Sequence, residues 1–245
     1  MQDEAKIFDQ IVDRRRSTRA FDVNYKLPED VVKRSLERAI KAPNSSNMQL
    51  WEFYRIKTPS AVDEVARLCL SQNGAKTASE IVIFVARPDL WKHRQQFHLN
   101  LLGEEKKGKE DARLMSNSAH SYYGKLMPLF YDPGAIPFVK DTIKRIMVWN
   151  KSRKKPFMRD VLSRFIPIVV HKSTALAAQT FMLSITAEGY DSVPMEGFDA
   201  VRLKKFLKLP KAAGICMAIA VGKGLPEGIR GSRIRLAYDE VVFDV

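Results

Sequence analysis

The chain has 245 residues, 45% of them hydrophobic, which is enough for one large packed domain or one domain carrying an insertion. Lys and Arg outnumber Asp and Glu by 41 to 28, a formal net charge of +13, so an anionic partner is implied: a phosphorylated cofactor, a nucleic acid or a membrane surface. No apolar run approaches the roughly 20 residues of a membrane-spanning helix and no apolar signal core opens the chain; Cys69 and Cys216, without Cys or His neighbours, read as packed thiols in a reducing cytoplasm.

Ile7, Phe8, Ile11 and Val12 recur at helical spacing, so residues 4–15 read as an amphipathic helix. It runs into Arg14-Arg15-Arg16-Ser17-Thr18-Arg19, where Thr18, Phe21, Val23 and Tyr25 favour extended backbone. Arg15, Ser17 and Arg19 alternate there and would project to one side. Guanidinium forks around a hydroxyl suit a phosphate; the same stretch also reads as a solvated charge run at a helix end. Residues 28–41 form a second helix, opened by Pro28 and two acids, with Val31, Val32, Leu36, Ala39 and Ile40 on one face. A loop of small polar groups follows, Pro43-Asn44-Ser45-Ser46-Asn47-Met48-Gln49. Then come a strand at 52–57, a helix at 60–71 and a doubly buried strand at 81–86.

Residues 88–170 are less regular and read as an insertion. It holds a charged segment at 103–113 and a proline- and aromatic-rich loop or lid at 121–138. A basic amphipathic helix at 138–149 and a basic turn at 151–155 follow. Nine Lys or Arg against two Asp make 140–165 strongly cationic. Residues 173–188 form the strongest helix, apolar nearly all round and ended by Gly189. Val193 to Asp199 reads as a tight connection into a helix opened by Asp199, and 214–221 as a second buried strand. A late basic cluster, Arg230, Arg233 and Arg235, precedes a final extended run at 240–245. Interleaved strands and more numerous helices give an α+β fold around one mixed sheet.

Several chemistries are excluded. The four histidines are scattered and join no cysteines or paired carboxylates in a zinc set. No G-x-S-x-G elbow, P-loop or complete dinucleotide-binding glycine pattern occurs. Arg15/Arg16/Ser17/Arg19, the Asn44–Gln49 loop, Pro194–Gly197 and Ser232/Arg233 need a common explanation.

Together these segments resemble the FMN-dependent nitroreductase family, whose order of motifs matches R-R-S-T-R-A-F, A-P-N-S-S-N-M-Q-L-W, V-P-M-E-G-F-D and the late S-R. The resemblance covers roughly residues 4–87 and 172–245. It implies a single domain over 1–245, with a central mixed, mostly antiparallel sheet surrounded by helices and 88–170 as an inserted lid region. It also implies that Arg15, Arg16, Ser17 and Arg19 grip the FMN phosphate, ribityl chain and pyrimidine edge, with Ser232 and Arg233 as a second phosphate clamp. Asn44, Ser45, Ser46 and Asn47 match a loop usually supplied by a partner subunit. Pro194, Met195, Glu196 and Gly197 match the turn at flavin N5, where Glu196 and Gly197 stand at the catalytic position through backbone N–H. Gln72 or Asn73 stands where an amide borders the pyrimidine. Leu50 and Gly231 depart from the family pattern, and Arg230 would have to replace the lysine missing at Gly231.

The activity so implied is a cytoplasmic homodimer in which NAD(P)H reduces FMN and the flavin then reduces a nitro compound or quinone, by a ping-pong mechanism. A specialised flavin reductase or reductive dehalogenase on the same fold is the alternative. No nucleic-acid motif occurs, and the basic 140–165 stretch leaves an anionic partner or membrane surface open as a docking function.

Overall fold

The computed structural model describes residues 2–105, 117–134 and 136–245, so most of the charged segment at 103–113 lies outside the described residues. Four strands form one sheet in the order β1-β2-β4-β3: β1 Trp51–Ile56, β2 Glu80–Ala86, β3 Asp191–Met195 and β4 Gly214–Gly222. All three pairings are antiparallel. Among the described residues, the parallel component expected of a mixed sheet is confined to a single bridge, Ser17 to Ser192.

Eleven α-helical segments are described. They are α1 Gln2–Arg14, α2 Glu29–Ala39, α3 Pro59–Leu68, α4 Asn73–Lys76, α5 Trp91–Glu105, α6 Asn117–Ser121, α7 Met127–Tyr131, α8 Pro137–Ser152, α9 Ile166–Ala187, α10 Ala200–Phe206 and α11 Tyr238–Val241. β2 is buried along its whole length, so its alternate residues serve two cores. Ile81, Ile83 and Val85 pack with Val65 and Ala66 of α3 and Leu203 of α10. Val82 and Phe84 pack with Val32 of α2 and with Phe181 and Ile185 of α9. A third cluster joins Met48 and Leu50 to Trp91, Met127, Tyr131 and Val170, and seats the α5–α7 segment on the chain just before β1.

Several differences from the sequence reading trace to proline. α9 starts at Ile166, not Ser173, because Pro167 sits in its first turn, where a missing N–H costs nothing. The expected loop at 121–138 is largely helical: Tyr122–Leu126 is a π-helical turn, Pro128 lies in the first turn of α7, and Pro137 opens α8. The connection expected from Val193 is the end of β3, an edge strand that accommodates Pro194. The final run expected as extended contains one helical turn, Tyr238–Val241.

α8 does not separate apolar from charged residues cleanly between its faces. Lys144 is buried and donates to the Phe130 carbonyl at 3.1 Å, while Phe138, Ile143, Ile146 and Trp149 are exposed. Lys140 pairs with Asp132 at 2.8 Å. The expected cationic face is therefore partly spent on internal contacts.

After α1 the chain is threaded between β3 and the segment following β4. Thr18 N–H donates to Ser192 O at 3.2 Å, Arg19 N–H to Gly228 O at 2.8 Å, and Leu225 N–H to Ala20 O at 3.0 Å. The approach requires glycine at 228, where a Cβ would stand 2.7 Å from Ala20 N and 2.8 Å from Thr18 Cγ2.

At the far end of α9, Glu188 accepts from Arg34 Nη2 at 2.6 Å and from Arg38 Nη1 at 2.5 Å. Arg38 also donates to Ser184 Oγ at 2.8 Å, and Ser184 Oγ donates to Ser35 Oγ at 3.0 Å, which locks α2 onto α9. The hydrogen bond from Arg34 is the main cause that holds the Glu188 carboxyl down at about 2.

Two predictions follow from this packing. A folded-state pKa below the ordinary value stabilises the fold above the unfolded pKa and is lost as pH falls through the folded one. Glu188→Gln therefore lowers the Tm by roughly 5 °C at neutral pH, and the gap from wild type closes as pH falls from 4.5 towards about 2 in a thermal-unfolding series. Gly228→Ala lowers the Tm by roughly 5 °C by overpacking. Gly103→Ala, where the added methyl meets nothing within 4 Å, does not.

Candidate functional site

The arginines that follow α1 meet the arginines of the C-terminal tail. Arg233 Nη2 lies 3.1 Å from Val12 O, 2.7 Å from Asp13 O and 2.8 Å from Arg15 O, and so caps the carbonyls at the end of α1. Arg16 Nη2 returns the contact to Gly231 O at 2.8 Å. Between them lies a cavity of about 130 Å³ lined by six arginines, Arg15, Arg16, Arg19, Arg230, Arg233 and Arg235, together with Ser17 and Ser232. No carboxylate lines it. Burial, and then the charges of Arg233, Arg235 and Arg16, push the Arg15 guanidinium below its ordinary pKa. Concentrated, uncompensated positive charge of this kind marks an anion site.

A second cavity, of about 230 Å³, shares Arg19 and Arg230 with the first and is otherwise lined by Gln72, Asn73, Gly74, Val193 and Met195. Its floor depends on glycine, since a Cβ at Gly74 would lie 2.7 Å from Val193 Cγ1 and 3.4 Å from Arg19 Cα. Leu70 and Ser71, just before α4, are both left-handed, at φ +58° and +53°. Strain of this kind is retained where surrounding contacts over-determine it, and it clusters at functional sites. Here the contacts are Gln72 Nε2 donating to Gly197 O at 2.8 Å and Cys69 O at 3.1 Å, and Asn73 Nδ2 donating to Arg19 O at 2.8 Å. Each amide leaves its oxygen as the acceptor available to a ligand. Both Gln72 and Asn73, the two amides the sequence left as alternatives, border this cavity.

Pro194 lies within β3, and Glu196 and Gly197 stand exposed at its end. The Gly197 N–H donates to no group among the described residues. Arg230, expected only as a substitute, lines both cavities. Gly74 and Val193 escaped sequence reasoning, because their role is close approach and not chemistry.

Asn44, Ser45, Ser46 and Asn47 are not with the other site residues in this chain. Their loop leads into β1, which begins opposite Ala86, itself opposite Gly214 at the start of β4. Ser17 bridges to Ser192 of β3, opposite Val221 near the other end of β4. The two groups therefore occupy diagonal corners of the sheet, three strand spacings or about 14 Å apart in width alone. Tyr122, Tyr123 and His98 contact the loop instead.

The remaining candidates add no competing chemistry. A further cavity, about 540 Å³, is lined by Tyr25, Lys26 and Asp63 among others, and contains charges of both signs that include the Lys57–Glu29 pair. The arginines do not line it, and it makes no comparable demand for an anion. Burial pushes the Cys69 and Cys216 thiols up to about 11, so neither is a thiolate nucleophile at neutral pH. Among the described residues no group of His, Cys, Asp or Glu could hold a metal ion, and no helix is long and apolar enough to cross a membrane.

A family model for the nitroreductase family matches residues 12–223. Protein DrgA of Synechocystis is 28% identical over 217 residues, covering 88% of this chain and 83% of its own length. The oxygen-insensitive NAD(P)H nitroreductase of Enterobacter cloacae is 25% identical, with 86% of this chain and 85% of that protein covered. A solved structure from Exiguobacterium sibiricum, described as a nitroreductase in complex with FMN, shares the fold with a TM-score of 0.69 at 19% identity, covering 97% of each chain. The matched span contains the arginine segment, the polar loop and the turn after β3, and the chain is a member of the nitroreductase family.

Proposed function

We propose that this protein is an FMN-dependent, homodimeric NAD(P)H oxidoreductase that delivers electrons to a small electron-poor acceptor, a nitro compound or a quinone. The observation that carries this reading is that the six-arginine cavity shares Arg19 and Arg230 with a cavity bordered by two amides and the end of β3. A phosphate dianion answers the unpaired positive charge of the first, and a flat heterocycle with donor and acceptor edges answers the second.

Arg15, Arg16, Ser17, Ser232 and Arg233 would hold the phosphate and ribityl chain. Gln72 and Asn73 would border the pyrimidine, with Pro194 and Met195 beneath the ring. Bound FMN would supply two-electron chemistry, taking hydride from NAD(P)H and passing electrons to the acceptor in two half-reactions at one face. Arg19, which lines both cavities, would place positive charge beside the pyrimidine and so favour the more negative, reduced state. Gly197 offers its unused N–H to the ring nitrogen, and Glu196 contributes through its backbone while its side chain stands in solvent.

A second copy would complete the site, because Asn44–Asn47 stand at the far corner of this chain's own sheet. Exposed apolar side chains support such an assembly: Ile7 and Phe8 on α1, and Ile234, Leu236 and Phe243 on the tail. Residues 88–170 would cover the ring and select the acceptor. Two unpaired, packed thiols fit a cytoplasmic setting.

The test is to load the purified protein with FMN and record its visible spectrum before and after anaerobic addition of NADH or NADPH. A bound flavin spectrum that bleaches supports the proposal; protein that retains no FMN overturns it. Arg19→Ala should raise the FMN Kd about 10- to 100-fold, whereas Glu196→Gln should leave turnover within about 2-fold, in equilibrium titration and steady-state assays. The reverse pattern would reject these assignments.

A further inference from the structure

The 44–49 loop holds a backbone that its residues do not favour. Ser46, Asn47 and Gln49 are left-handed at φ +55°, +50° and +48°, and none is glycine. Asn tolerates this region better than Ser or Gln, and the strained backbone at Ser46 and Gln49 persists only where the surroundings impose it. The internal bonds, Gln49 N–H to Asn44 Oδ1 at 2.8 Å and Asn47 N–H to Asn44 O at 3.2 Å, shape the turn but do not anchor it.

The anchors come mostly from the 88–170 segment. Tyr122 and Ser46 share a hydroxyl–hydroxyl hydrogen bond of 2.7 Å, and Tyr123 Oη donates to the Ser46 carbonyl at 3.1 Å. His98 Nε2 stands 2.7 Å from the Asn47 carbonyl, which can only accept, so this nitrogen carries the proton. The His98 ring is buried and stacks on Tyr123 at 4.5 Å with 10° between the planes. Gln95 of α5 donates to the Tyr123 carbonyl at 2.7 Å and ties the π-helical turn down in its place. Turns of that kind are rare and recur at functional sites. From outside this segment, Ser173 Oγ accepts from Ser45 N–H at 3.2 Å.

We infer that His98, Tyr122 and Tyr123 are positioning residues that hold the 44–47 loop in its ligand-binding shape. The 88–170 segment is then part of the flavin grip as well as a cover over the ring. A displacement of α5 or the π-helical turn moves the loop with it, which links acceptor contacts on the cover to cofactor affinity in the site the loop completes. This inference rests on the FMN reading of the site.

The test uses the full-length protein. The FMN Kd of the apoprotein and hydrogen exchange of the peptide spanning 42–50 are measured for wild type, the double variant Tyr122→Phe/Tyr123→Phe, His98→Leu and His98→Gln. The double variant and His98→Leu should each raise the Kd about 10-fold and speed exchange at 42–50, with exchange in β2 and β4 unchanged. His98→Gln, which keeps a donor, should stay within about 3-fold of wild type. Unchanged exchange at 42–50 overturns the inference whatever FMN does, as does faster exchange spread evenly over the chain. Wild-type affinity in the variants also overturns it. If wild type takes up no FMN while exchange at 42–50 still responds, the flavin reading fails and the anchoring of the loop stands.

Discussion

The candidate site depends on one guanidinium. The last carbonyls of α1 have no partner within the helix, and Arg233, far away in sequence, meets two of them and the carbonyl of Arg15 just beyond with a single terminal nitrogen. That nitrogen has two protons for three acceptors, so the contact is shared, and the rest of the fork is left to line the cavity. Arg16 and Gly231 close the same junction from the other side. Tail and helix are thereby held together although both bring positive charge. The depressed Arg15 shows what this costs, since burial and neighbouring cations both disfavour its charged form. Stability for the arrangement comes from elsewhere, from a fully buried β2 and from Glu188 between two arginines.

Much of this was legible in the sequence where a single period dominates. The helices at α1, α2 and α3 and the runs Ile81–Ala86 and Gly214–Val221 are read directly from apolar spacing. The arginines around Ser17 were legible because charge and hydroxyl alternate in an extended stretch. β3 was not, because it is short and holds Pro194, and only its edge position removes the objection. The helices between 117 and 131 were hidden by Pro128 and by aromatics at Tyr122, Tyr123, Phe130 and Tyr131 that show no clear apolar period.

What sequence could not reach were the contacts across long separations. Asn47 tolerates left-handed backbone, but nothing announces it at Ser46 or Gln49, and the groups that impose it lie about 50 or more residues downstream. Gly74 and Gly228 likewise look like any loop glycines until the neighbouring backbone is placed against them. The motif order was informative about family but not about distance: the polar loop and the arginines lie at opposite corners of the sheet.

The strand order has a consequence for how the chain acquires its shape. β2 and β4 form the centre of the sheet, yet the whole segment from Arg87 to Ala213 lies between them in sequence. Closing a loop of that length costs conformational entropy before any ladder bond repays it. β1 and β2, separated only by α3 and α4, can pair early, whereas β4 must arrive late with β3 already near. Until it does, one edge of β2, apolar from Ile81 to Ala86, stays open to other chains. The window for misassociation is therefore set by the time the chain takes to bring β4 home.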